Sequence, residues 1–305
     1  MVSKEYPRIG EKIYHAELPN GLHIYVDRRP EFQKSYAFFA TNYGGMDMKF
    51  HLDGQWRDTP AGVAHFLEHK MFDTEDGNAL QDLAANGASP NAFTSSALTG
   101  YYFESTEKFC DNLKILLSFV SIPWFTQESV DKEQGIIGQE IRMVEDDPDN
   151  QVFYGLMECL FDHHPIRCPS PAQGPSPPHR RHPLCLPQGV LHPLNMVLTV
   201  AGDVEPEEVV RIAREILPKE PGGHIERDYG GEEDGGAAAP ERSCAWRCPP
   251  PSSNWASRPS PPPPGRSTCA ASSWASWPAS AAGPSSPCMP GSTARPHQQE
   301  LWLRL

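Results

Sequence analysis

Two histidines and a glutamate at helical spacing are the residues of this sequence best suited to do chemistry. The segment from residue 61 to residue 72, AGVAHFLEHKMF, contains His65, Glu68 and His69 in the order H-x-x-E-H. Residues four apart share one face of a helix, so the two imidazoles can occupy two corners of a tetrahedral zinc site. Glu68 borders that face, where a carboxylate can take a proton from water without binding the metal. This segment therefore predicts part of a hydrolytic zinc site that needs a third protein ligand.

A second predicted helix, from Thr126 to about Val144, offers that third ligand. Glu133 and Glu140 are seven residues apart on it, which places them two turns apart on one face. Isoleucines surround them, and a carboxylate on a partly apolar face needs a partner such as a metal ion. Glu145 is a rival, although it lies off that face and near the end of the helix. Alone, each glutamate would be interpreted as an exposed helix carboxylate.

The elements that must position these side chains alternate between strands and helices over the first 167 residues. The patterns KIYHAEL and LHIYVD flank a Pro-Asn-Gly turn signal, and SYAFFAT, NAFTS and TGYYF also have strand character. Residues 51–60 read as a surface connection, and residues 146–148 (Asp-Asp-Pro) as the end of the second helix. Further helices are predicted at residues 78–86, 107–120, 150–163 and 205–217.

Composition and charge narrow the class of protein. The chain has 26 Lys and Arg against 39 Asp and Glu, a net charge of -13, which argues against a nucleic-acid partner. The first residues contain no apolar signal-peptide core, and no run approaches the roughly 20 apolar residues of a membrane span. Cys110 and Cys159 are the cysteines of the well-patterned first half, and neither has a neighbour at metal spacing. We expect a cytoplasmic protein without disulfides.

Two blocks depart from this pattern. Residues 168–191 contain seven prolines and no acid, and residues 243–305 contain five of the seven tryptophans and a single acid, Glu300. We interpret both blocks as frame-shifted translations of GC-rich DNA, the alternative being a genuine disordered tail. The expected organisation is one domain at 1–220 interrupted at 168–191, a Gly- and acid-rich linker at 221–242, and a tail at 243–305.

Several motifs together resemble the insulinase-type zinc peptidases, also called inverzincins or the pitrilysin family. They are HFLEH, GASPNAFTS, TGYYF and DKEQGIIGQEIRMVEDDPDN. The resemblance runs from residue 12 to 167, resumes from 192 to 217, and is strongest to bacterial processing-peptidase-like members. It implies an α+β fold, an insulinase-like α/β sandwich unit in which an antiparallel sheet carries helices on one face. A second such unit is not recognisable in this sequence.

The resemblance also implies roles for individual residues. His65, His69 and Glu140 match the three ligands of one zinc ion per chain, and Glu68 matches the general base. Glu133 matches an acidic residue that hydrogen-bonds a ligand histidine. The implied activity is zinc-dependent hydrolysis of peptide bonds in peptides or small unfolded proteins.

The implied substrate site is an edge strand. Asn91, Ala92, Phe93 and Thr94 match the strand to which the family adds a substrate peptide through main-chain hydrogen bonds, although Phe93 could equally be a core aromatic. Some members work with a related peptidase-like subunit, which is a second expected partner. The later part of family members supplies basic and tyrosine residues to the site, and no segment here matches them. The alternative is therefore a catalytically impaired fragment or inactive subunit that binds zinc or a partner chain without turnover.

Overall fold

The protein is described by a computed structural model over residues 1–75, 77–168, 187–220, 222–233, 241–246 and 299–304. For residues 187–188, 241–246 and 299–304 the description extends to the backbone alone. Most of the two blocks interpreted as frame-shifted, residues 169–186 and 247–298, lies outside the described residues. The frame-shift interpretation and the proposed division into domain, linker and tail therefore stay predictions.

Strands and helices follow one another along the chain. The strands are β1 (Val2–Tyr6), β2 (Glu11–Glu17), β3 (His23–Arg28), β4 (Ser35–Thr41), β5 (Lys49–Leu52), β6 (Gln55–Asp58), β7 (Asp73–Thr74), β8 (Gly77–Asn78), β9 (Ala88–Thr94), β10 (Thr99–Ser105), β11 (Met196–Gly202), β12 (Glu226–Arg227), β13 (Glu241–Trp246) and β14 (Gln299–Arg304). The helices are α1 (Val63–Met71), α2 (Ala79–Ala85), α3 (Phe109–Ser121), α4 (Gln127–Glu145), α5 (Pro148–Leu160), α6 (Pro187–Val190) and α7 (Pro206–Ile216). Short 3-10 turns lie at Pro165–Arg167 and Pro193–Asn195.

A seven-stranded sheet organises the molecule, with the strand order β1-β2-β3-β11-β4-β10-β9. Every neighbouring pair is antiparallel except β3 and β11, which run parallel. Strand β11 comes from far along the chain and lies between β3 and β4 in the middle of the sheet. Strand β9 forms one edge, where its outer backbone groups have no partner strand in the described part of the chain. The expected α+β class with a mostly antiparallel sheet is confirmed.

Helices cover one face of this sheet and form the main core with it. Side chains alternate along each strand, so that Ile24 and Val26 of β3 are buried while Tyr25 between them is 38% exposed. Helices α1, α2, α3 and α7 bury apolar residues against the inward face, among them Leu67, Leu113 and Ile212. On the other face, aromatic side chains remain partly exposed. This arrangement fixes the position of α1, the helix that carries the H-x-x-E-H motif.

The structure shows where the helices next to the site begin and end. Helix α1 begins at Val63 rather than near residue 61, because Gly62 adopts a left-handed conformation (φ 85°) directly before it. Thr59, which precedes this helix, donates its hydroxyl to the carbonyl of Met48 at 3.0 Å. Helix α4 ends at Glu145, so residues 146–148 mark its end as predicted. Pro148 also begins α5, since a proline at the first helical position lacks only an unneeded N–H.

The segment after residue 222 is held against the domain. Strand β12 pairs with β5, which itself pairs with β6 inside the stretch expected to be a surface connection. Tyr229 donates its hydroxyl to the buried carboxylate of Asp47 at 2.7 Å, and the guanidinium of Arg227 contacts the same carboxylate at 3.1 Å. In the described part of the chain, no helix has both the length and the apolar character needed to cross a membrane.

Candidate metal centre

Helix α1 carries the two motif histidines on one face, and its opposite face packs against the core. Its apolar residues Phe66, Leu67 and Met71 are buried in the core, whereas the side chains of His65 and His69 remain 16% and 19% exposed. The rings lie 4.6 Å apart between centroids and nearly perpendicular to each other. Burial of the opposite helix face therefore sets the direction in which both imidazoles point.

Three potential ligand atoms converge where α1 meets α4. The Nε2 atoms of His65 and His69 are 3.2 Å apart, and Oε2 of Glu140 lies 3.5 Å and 3.4 Å from them, respectively. Zinc–ligand distances of about 2.0–2.1 Å at tetrahedral angles require ligand atoms about 3.3–3.4 Å apart. The triangle thus fits a zinc ion, and its donor set of two imidazoles and one carboxylate is one that zinc accepts. Among the described residues, this is the group of His, Cys, Asp or Glu side chains with such spacing.

Glu133 orients one of the two imidazoles. Its Oε1 lies 2.7 Å from Nδ1 of His69, so Nδ1 carries the hydrogen and Nε2 presents a lone pair to the centre of the triangle. The other ring differs, because the buried Nδ1 of His65 has no hydrogen-bond partner. Burial, together with the neighbouring His69, lowers the pKa of His65 to about 4. A neutral His65 is the form in which an imidazole can bind a metal.

Glu68 lies beside this triangle but outside it. Its side chain is buried in the groove between α1 and β9, and its Oε2 accepts a hydrogen bond of 2.7 Å from the hydroxyl of Thr94. Burial raises the pKa of the Glu68 carboxyl, as does the charge of Glu140, while the Thr94 hydrogen bond and His69 oppose the rise. A carboxyl with a raised pKa is suited to exchanging protons near neutral pH.

Thr94 belongs to the expected peptide-binding strand, yet its side chain donates a hydrogen bond to Glu68. The hydroxyl also lies 3.2 Å from that of Thr99, which donates to the carbonyl of Tyr43 at 2.9 Å. The motifs gave no signal for the contact between Thr94 and Glu68, because these residues are 26 positions apart in the sequence. The contact depends on how β9 packs against α1.

The remaining residues of the expected peptide-binding strand lie along the edge of the sheet. Asn91, Ala92 and Phe93 are in β9, whose only partner strand is β10 in the described part of the chain. Phe93 is 43% exposed and stacks on Phe38 with ring centroids 6.0 Å apart, so its alternative interpretation as a core aromatic is wrong. An exposed edge strand beside the triangle is compatible with strand addition.

Comparison with known proteins agrees with this geometry. Residues 54–170 match the model of the insulinase family, peptidase family M16. The chain is 41% identical over 221 residues to the uncharacterized zinc protease YmfH of Bacillus subtilis (strain 168), which covers 71% of this chain and 52% of that protein. The chain thus spans about half the length of this relative.

Solved structures of M16 proteins are also similar to this chain. A structure described as an M16-like peptidase from Alicyclobacillus acidocaldarius superposes with a TM-score of 0.72 at 36% identity, covering 78% of this chain and 57% of that one. A peptidase M16 inactive domain from Pseudomonas fluorescens shares the fold, with a TM-score of 0.54 at 19% identity over 69% of this chain and 52% of that one.

An α+β sandwich in which two histidines and a glutamate converge beside a buried glutamate is similar in fold to the M16-like peptidases. Residues 54–170 of this chain are a domain of the insulinase family, peptidase family M16.

Proposed function

We propose that this chain is a zinc-dependent metallopeptidase domain that hydrolyses peptide bonds. The observation that carries the proposal is the triangle of His65 Nε2, His69 Nε2 and Glu140 Oε2, with edges of 3.2–3.5 Å, beside the buried carboxylate of Glu68. His65, His69 and Glu140 would hold one zinc ion. Bound there, zinc supplies Lewis acidity, which makes water a stronger acid and polarises a carbonyl group.

Glu68 is the general base of this proposal. Thr94 occupies its Oε2, which leaves Oε1 to take the proton from the attacking water and return it to the leaving amine. Burial raises the pKa of Glu68, so the carboxyl can hold that proton between the two steps. Glu133 keeps the His69 ring in the orientation in which its Nε2 faces the triangle.

The substrate in this proposal is an extended peptide lying along β9. The outer edge of β9 at Asn91, Ala92 and Phe93 has no partner strand in the described part of the chain, although the N–H of Ala92 donates to the side chain of Asn91 at 2.8 Å. A peptide that displaces this bond and adds to the edge would run past Glu68. Peptides and small unfolded proteins have backbone available for such pairing. A related peptidase-like subunit is a further proposed partner.

The proposal is tested by cleavage of a peptide library by the zinc-loaded chain and by its Glu68→Gln variant. This substitution keeps the size of the side chain but removes the base, so we expect a rate loss of at least about 10²-fold with zinc content unchanged. If the variant loses its zinc instead, Glu68 is a ligand and the assignment of roles is wrong.

A second candidate function is zinc or partner binding without turnover. This candidate is favoured by the length of the chain relative to similar proteins. The chain spans 52% of YmfH and 57% of the Alicyclobacillus structure. A chain that binds one zinc ion yet cleaves no member of the library would support this candidate over the peptidase.

A further inference from the structure

The helix pair α4 and α5, here called the α4–α5 hairpin, carries two of the site's carboxylates but lies outside the main core. None of the nineteen residues of α4, all of them within the described ranges, is buried. Ile136 and Met143 on this helix are 39% and 72% exposed. The buried residues of α5 form a small cluster of their own, Val152, Leu156, Met157 and Leu160. Little apolar burial therefore holds the α4–α5 hairpin against the sheet domain.

Two glycines weaken α4 between its two site glutamates. Gly135 and Gly138 lie in the interior of the helix, and a Cβ atom at either position would meet nothing within 4 Å. Close packing therefore does not require glycine there. A helix with glycine in its interior is less stable than one with alanine there, because glycine loses more backbone conformational freedom on folding.

Without a cation, the carboxylate of Glu140 faces a lone pair of His69 on α1. The Nδ1 hydrogen of His69 is committed to Glu133, so Nε2 of His69 turns a lone pair toward Oε2 of Glu140 at 3.4 Å. Two acceptors at this separation repel each other. A cation in the triangle replaces this repulsion by attraction to all three atoms, and Glu140 then ties α4 to α1.

We propose that zinc binding and closure of the α4–α5 hairpin onto α1 are a single coupled equilibrium. In the metal-free chain the hydrogen bond from His69 to Glu133 still joins α1 to α4, but the hairpin opens and its helices fray more often, and zinc holds it closed by joining Glu140 to His65 and His69. The apparent zinc affinity is then proportional to the fraction of chains in which the hairpin is closed. This inference rests on the proposed zinc site but does not depend on catalysis.

Hydrogen exchange of the full chain, with zinc and after chelation, tests the coupling directly. Peptides from residues 127–160 should lose most of their protection on chelation, while those from β4, β10 and β11 keep theirs. Equal protection of residues 127–160 in both states, in a chain that binds one zinc ion, would overturn the coupling and leave the zinc site intact. A chain that binds no zinc would overturn both.

Helix propensity gives an independent test through a zinc competition titration. Gly135→Ala and Gly138→Ala should each tighten zinc binding, by up to about fivefold per site, because they stabilise the closed hairpin. Gln139→Gly, at an exposed position of the same helix, should weaken binding by a similar factor.

Arg214→Gly is the matched control. It places the same helix penalty at an exposed position of α7, away from the hairpin, and should leave zinc affinity unchanged. Zinc affinities that do not respond to the three α4 substitutions, or that respond equally to Arg214→Gly, would contradict the proposal.

Discussion

Oε1 of Glu133 lies 2.7 Å from Nδ1 of His69, while Oε2 of Glu140 lies 3.4 Å from Nε2 of the same ring. The two glutamates of α4 thus lie next to the two different nitrogens of one imidazole, Glu133 at Nδ1 and Glu140 at Nε2. Because a carboxylate only accepts hydrogen bonds, Glu133 fixes the tautomer of His69 and frees Nε2 for a metal. The seven-residue spacing of the glutamates makes this division of roles possible.

Removal of Glu133 should weaken zinc binding without removing a ligand. We expect Glu133→Ala to lower zinc affinity by about 10–100-fold, the usual effect of losing a carboxylate that orients a ligand histidine. Glu145→Ala, on the same helix but outside the ligand triangle, is the control and should have little effect. Competition with a chromophoric chelator measures both, and equal affinities for the two variants would refute this role of Glu133.

Thr94→Val should reduce turnover while leaving substrate affinity unchanged. The substitution preserves shape but removes the 2.7 Å hydrogen bond to Glu68, and a bond to a charged group stabilises by about 1.5–3 kcal/mol. We therefore expect kcat to fall by at least about tenfold, with KM constant and Thr94→Ser restoring most of the rate. A raised KM at constant kcat would show instead that Thr94 acts in substrate binding.

Gly44→Ala should destabilise the loop that joins β9 to β10. A Cβ at Gly44 would lie 2.5 Å from the backbone nitrogen of Leu98 and 2.6 Å from backbone atoms of Ala97, which cannot move aside as a side chain could. We expect a loss of about 1–3 kcal/mol in the free energy of unfolding, measured by urea denaturation. The control is Gly231→Ala, where a Cβ would meet nothing within 4 Å. A Gly44→Ala variant as stable as this control would contradict the packing described.

Local features of the site were predictable from sequence, because short-range spacing determines them. His65 and His69 share a face of α1 as the four-residue spacing requires. The second helix begins where predicted, with Thr126 as its N-cap, and Ser129 completes a reciprocal pair of hydrogen bonds with Thr126. Convergence of Glu140 on α1 follows from tertiary packing, and the family resemblance supplied the ligand role that spacing alone could not. Burial of Glu68 also follows from tertiary packing and was not predicted.

Other features depend on contacts between distant segments and gave no sequence signal. Strand β1 pairs with β2 although its residues are almost fully exposed and lack strand alternation. The Gly- and acid-rich stretch after residue 222 looked like a linker, yet Glu233 accepts backbone N–H bonds from residues 162, 163 and 164. Composition cannot reveal a carboxylate whose partners lie about seventy residues away.

The most direct test of the central claim is a zinc competition titration of the wild-type chain, Glu68→Gln and Glu140→Ala. The geometry predicts one tightly bound zinc ion in the wild type and in Glu68→Gln, and a much lower affinity in Glu140→Ala, because Glu140, unlike Glu68, contributes an atom to the ligand triangle. Full zinc affinity in Glu140→Ala, or its loss in Glu68→Gln, would contradict the assignment of His65, His69 and Glu140 as the metal ligands.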